Sequence, residues 1–122
     1  MPAPVAPLAP CPSSPNCVSS QATDAKHRVD AIAYRGDPAQ AMRRMRAVIE
    51  AIPRARVVRA DDSGLHAEFT SRLLRFVDDV DCVVDPTAGV IQIRSASRVG
   101  YSDLGVNRKR VDAIRAAFAD SK

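Results

Sequence analysis

HAEFTSRLLRFVDDVDCVVDPTAGVIQIRSASRVGYSDLGVNRKR, residues 66–110, is the stretch whose reading decides the fold. Leu65, Ala67, Phe69, Ser71 and Leu73 alternate with His66, Glu68, Thr70 and Arg72, the period of a strand with one buried face. Phe76, Val80, Cys82 and Val84 continue the inward set after a tight turn at Leu74 and Arg75. Pro86-Thr87-Ala88-Gly89 reads as a four-residue loop. Ile91, Ile93, Ser95, Ser97 and Val99 then form the inner face of a last strand, followed by a polar loop from Val99 with two glycines.

Working upstream, Asp61-Asp62-Ser63-Gly64 is a hairpin loop that leads back to a short strand over residues 56–60. Before it lies a helix. Asp37 caps it, Pro38 suits its first position and Gln40 completes a capping box. Met42, Met45, Ile49 and Ile52 form its apolar face, and Pro53 ends it. Downstream, a second helix starts near Asn107 as cap, with Val111, Ile114 and Phe118 as its stripe. The expected fold class is α+β: a four-stranded antiparallel meander with two helices packed on the face lined by Phe69, Val80, Cys82 and Ile93.

The chain of 122 residues suits one domain. Residues 1–20 hold six prolines and several serines and read as an extended arm, leaving 21–122 as a single α+β domain. Residues 21–36 look irregular, with Val29, Ile32 and Tyr34 as anchors. With no Trp, two Tyr and three Phe, the core must be aliphatic. No apolar run reaches the roughly 18 residues of a membrane span. The first ten residues lack a basic start and a leucine-rich core. As written, the chain is expected to be cytoplasmic, or extracytoplasmic if its N-terminus is trimmed. Three cysteines are present. Cys11 and Cys17 are close enough for a local disulfide in an oxidising compartment, and Cys82 in its strand reads as a buried hydrophobe. His27 and His66 are spaced unsuitably for zinc, so neither a metal site nor a cofactor is expected.

Pairing Leu73 with Phe76 sets Glu68 opposite Asp81 and Thr70 opposite Asp79; pairing Asp85 with Val90 sets Asp81 opposite Arg94. Glu68, Asp81 and Arg94 would then form one row of the outer face, with His66 and Arg59 one step along. Three readings of that row stand open. It is a surface ladder of ion pairs, each worth about 0–1 kcal/mol, or a polar binding floor, or a carboxylate pair for acid–base work. A second cluster is Arg108, Lys109 and Arg110 at a helix start, where cations oppose the dipole. Either Asp78, Asp103 or Asp112 pairs with them, or an anion binds there. An open face without aromatics does not suit RNA, so no nucleic-acid partner is expected.

CPSSPNCVSSQA (residues 11–22), HAEFTSRLLRFVDDVD (residues 66–81) and IRSASRVGYSDLGVNRKRV (residues 93–111) together resemble the domain of unknown function 1499 family of bacteria and plastid-bearing organisms. The resemblance runs over about residues 8–118 and implies the fold family, with no activity or cofactor to carry over. It also implies relatives with an N-terminal export or membrane-anchoring segment. The functional expectation is a non-enzymatic module that binds an anionic ligand or acidic partner on the polar sheet face and the 95–110 loop. Its residues are His66, Glu68, Asp81, Arg94, Arg98, Tyr101, Ser102 and Arg108, with Arg94, Arg98 and Arg108 converging near Tyr101 and Ser102. The alternatives are a small enzyme using Glu68, Asp81, His66 and Arg94, and a purely structural interaction module.

Overall fold

Alternation between residues 64 and 97 produces three hairpin-linked strands, and the computed structural model describes residues 8–72, 75–99 and 105–121 of the chain around them. In chain order the elements are β1 (Cys17–Ser19), β2 (Ile32–Ala33), α1 (Pro38–Glu50), β3 (Ala55–Ala60), β4 (Gly64–Thr70), β5 (Val77–Asp85), β6 (Val90–Ser97) and α2 (Val106–Asp120). All strand pairs are antiparallel, in the order β1-β6-β5-β4-β3, with β2 also on β6. The sheet therefore has six strands rather than the expected four. The additions are three and two residues long, too short to show a period, and they lie end to end along β6.

Both helices cover one face. Asp37 accepts from the Gln40 backbone N–H at 3.0 Å, and Pro38 opens α1 as expected. Met42, Met45 and Ile49 of α1 meet Val111, Ile114 and Phe118 of α2 over Leu65, Ala67, Phe69, Val80, Cys82, Val84, Ile91 and Ile93. Each of these is buried, and about 1.5–3 kcal/mol per large aliphatic side chain follows from removing it from water. Val29 and Ile32 join the core and Tyr34 packs against it.

The β5–β6 register is the expected one, with Asp85 opposite Val90 and Asp81 opposite Arg94. The β4–β5 register is displaced by two. Glu68 faces Asp79, His66 faces Asp81 and Thr70 faces Val77. The cause is a longer connection: Ser71 N–H donates to the Phe76 carbonyl at 2.8 Å, and Phe76 N–H donates to Ser71 Oγ at 2.8 Å. Leu73 and Leu74 of the expected turn lie outside the described residues. A displacement of two preserves which face each side chain takes, but Phe76 falls beyond the core and is 48% exposed.

At the other end, α2 starts at Val106 with Gly105 as cap at φ 82°, a residue that has no side chain to make a cap hydrogen bond. Asn107 is fully buried instead. Its carboxamide accepts from Ser95 Oγ at 2.6 Å and donates to Ser97 Oγ at 2.9 Å and to the Asn16 carbonyl at 3.2 Å. A residue type favoured at caps because it bonds nearby backbone here bonds across to β6 and to the segment before β1.

Candidate functional site

The face of the sheet away from the helices carries the charges, because period two sends the even-numbered residues of β4 and β6 and the odd-numbered residues of β5 there. Two rows cross it. One runs Arg59, His66, Asp81, Arg94; the next runs Arg56, Glu68, Asp79, Ala96. The rows come from H-x-E on β4 and D-x-D on β5, which the antiparallel register stacks into a square of four ionisable groups.

His66 sits between two carboxylates. Its Nδ1 lies 2.7 Å from Asp81 Oδ1 and its Nε2 lies 3.2 Å from Asp79 Oδ1. A neutral imidazole has one proton, so it donates to one carboxylate and turns a lone pair toward the other. Glu68 and Asp79 face each other directly, a repulsive placement. Arg98 relieves it by reaching Asp79 Oδ2 through Nε at 2.8 Å and Glu68 Oε2 through Nη2 at 2.7 Å. That guanidinium, by its hydrogen bond and its charge, holds the Asp79 carboxyl below its usual range against the opposing effect of burial. The carboxylates in turn raise the already high pKa of Arg98.

Arg94 takes a different environment. Its Nη2 donates to the Pro10 carbonyl at 3.4 Å, so residues of the N-terminal segment cross above it. Its Nε is buried and has no hydrogen-bond partner among the described residues. Among the described residues, Arg56, Arg59 and Arg94 have no carboxylate within 4.0 Å. Beside the crossing segment is a cleft of about 320 Å³ lined by Leu8, Ala9, Arg59, Asp61, Ser63 and Asp81, among others.

The structure gathers His66, Glu68, Asp81, Arg94 and Arg98 on one face but does not bring Arg108 to them. Arg108 donates to the Arg28 carbonyl at 2.8 Å and the Lys26 carbonyl at 3.1 Å, which ties α2 to the segment before β2. Those carbonyls satisfy its guanidinium and account for a cation near a helix start. Arg110 pairs with Asp78 at 2.7 Å and also donates to Asn107 Oδ1 at 2.9 Å. Tyr101 and Ser102 lie outside the described residues. Cys11 and Cys17 are joined, with Cα atoms 5.6 Å apart, and Cys82 is a buried free thiol whose pKa burial raises.

Linear spacing of His27 and His66 hid one group of potential ligands. His66, Glu68 and Asp79 each offer a ligand atom within 4.8 Å of the others. The signal was the i, i+2 pairs on adjacent strands, readable only with the correct register. No helix among the described residues is long and apolar enough to cross a membrane. A family model described as "Protein of unknown function (DUF1499)" matches residues 7–118. No curated protein and no solved structure matches the chain.

Proposed function

Because the chain belongs to the DUF1499 family of proteins of unknown function, we infer its role from its own residues: it is a binding module whose outer sheet face docks an anionic ligand or acidic partner. The observation that carries this reading is an imbalance. Glu68 and Asp79 are engaged by Arg98, and Asp81 by His66. Among the described residues, Arg59 and Arg94, at the two ends of the row through Asp81, have no carboxylate within 4.0 Å. Arg59 lines the cleft together with Asp61 and Asp81, and Arg94 stands on the far side of Asp81, so an arriving anion has these two guanidinium groups to bind. The buried Arg94 Nε adds a donor whose desolvation is uncompensated until an acceptor meets it.

Arg59 is the residue to test first, because it is exposed and lines the cleft. Phosphate, sulfate and citrate at millimolar concentration are expected to raise the melting temperature of the wild type by mass action. Arg59→Ala and Arg94→Ala should lose that shift while staying folded. Arg108→Ala should keep it, since its guanidinium is engaged by backbone carbonyls. Equal anion shifts in the wild type and both outer-face variants would end the proposal.

A further inference from the structure

We propose that His66, Glu68 and Asp79 are ligands for a divalent cation of the zinc class, which enters by displacing the Arg98 guanidinium. The inference does not rest on anion docking at Arg59 and Arg94: it takes Glu68 and Asp79 from the row beside theirs, and His66 from their own row. Zinc takes nitrogen and oxygen ligands at about 2.0–2.2 Å in a tetrahedron, which sets ligand atoms about 3.3 Å apart. His66 Nε2 and Asp79 Oδ1 stand 3.2 Å apart. The third ligand atom, from Glu68, completes a set within 4.8 Å, so side-chain rotations of small amplitude close it. A fourth position is left for water, as in sites with three protein ligands.

The second argument comes from the other ring nitrogen. Asp81 Oδ1 is 2.7 Å from His66 Nδ1, the shorter of the two carboxylate contacts. When Nε2 takes a metal, that contact gives the remaining ring proton, on Nδ1, its acceptor. A carboxylate behind the far nitrogen is the device that orients histidine ligands and raises their basicity. Asp81 is therefore a positioning residue, not a ligand.

Arg98 is the protein's own cation at this position. It bridges Glu68 and Asp79, the two carboxylates the metal would take. Its side chain is 47% exposed, so it has solvent to move into. Metal and guanidinium then compete for the same oxygens, and the competition predicts a result that a plain ion-pair ladder does not.

The full chain, stripped with chelator, is titrated with zinc chloride in a calorimeter, without phosphate or other added anion ligands. Wild type is expected to bind one equivalent. Arg98→Ala should bind it at least about tenfold more tightly, because the internal competitor is gone. Asp81→Asn should bind about ten- to a hundredfold more weakly, the range found when orienting partners are lost. His66→Gln, which keeps a polar side chain of similar reach, should lose the equivalent; circular dichroism establishes that each variant is folded. Zinc affinity unchanged in Arg98→Ala, or retained in His66→Gln, would overturn the proposal, as would absence of binding to both wild type and Arg98→Ala. The anion test on Arg59 and Arg94 reads a different ligand on different residues, so either reading fails without the other.

Discussion

His27 shows how one side chain can hold a segment that has little regular structure. It is buried, with Nε2 at 2.9 Å from the Ser14 carbonyl and Nδ1 against Asp24. Both partners are acceptors, so the doubly protonated ring satisfies both. The Ser14 carbonyl, then Asp24, raise the His27 pKa against the lowering effect of burial. A raised folded-state value means the stabilisation is complete below the unfolded pKa of about 6.5 and fades as pH climbs through the folded-state value. The partner runs the other way: hydrogen bonding to His27 lowers Asp24, so its share is present above its unfolded pKa and lost in acid. The melting temperature of wild type should exceed that of His27→Gln near pH 6, and the gap should narrow in alkaline buffer. A gap that widens with pH would contradict the assignment.

Among the elements, α2 depends on a polar anchorage as much as on its apolar stripe. Arg110 meets Asp78 at 2.7 Å, with side chains 16% and 11% exposed, and lies 5.0 Å from the Phe69 ring centroid. Exposed pairs contribute little and breaking buried ones costs about 3–5 kcal/mol, so Arg110→Ala should lose about 2–4 kcal/mol. Urea unfolding measures this directly. Replacing both residues by apolar ones of similar size should recover part of the loss, because no charge is then left unpaired.

The same elements show what sequence can and cannot reveal. Asp37-Pro38 and Pro86-Thr87-Ala88-Gly89 carry backbone chemistry specific to a cap and a turn, and α1 and the β5–β6 register follow from them. The β4–β5 connection contains Arg72-Leu73-Leu74-Arg75, with no glycine, proline or asparagine to mark a turn, so its length was misjudged and the register moved by two. The outer face was legible because parity survives that error. The pairings within it were not: Glu68 faces Asp79 rather than Asp81, and Arg98 separates the two. Arg108 was misplaced because its partners are backbone carbonyls, which carry no signature in a sequence.

At the scale of the whole molecule, the N-terminal segment is tied to the sheet at several independent points. Cys11 is bonded to Cys17 of β1, Leu8 N–H donates to Gln21 Oε1 at 2.8 Å, and Arg94 donates to Pro10. Closing so short a loop contributes at most about 2–3 kcal/mol in the chain-entropy model. Reduction should therefore lower the melting temperature modestly and leave the sheet folded, since Cys17 and Val18 stay buried against β6. Proteolysis of residues 8–16 should accelerate on reduction. Mass mapping of an unreduced digest should join Cys11 to Cys17; a bridge involving Cys82 would contradict this arrangement.

The shift in register between Val57 and Arg59 in β3 bears on how copies of this chain behave in a crowded solution. Among the described strands β3 ends the sheet on one side, and an open border of amide and carbonyl groups is a template on which another molecule can extend a sheet. The irregularity breaks the even spacing that such templating needs, and Arg56 and Arg59 set like charges along the same border. Stacking one molecule's border on another's would bring arginines together over an interrupted ladder, so β3 opposes fibril growth while remaining an ordinary strand toward β4.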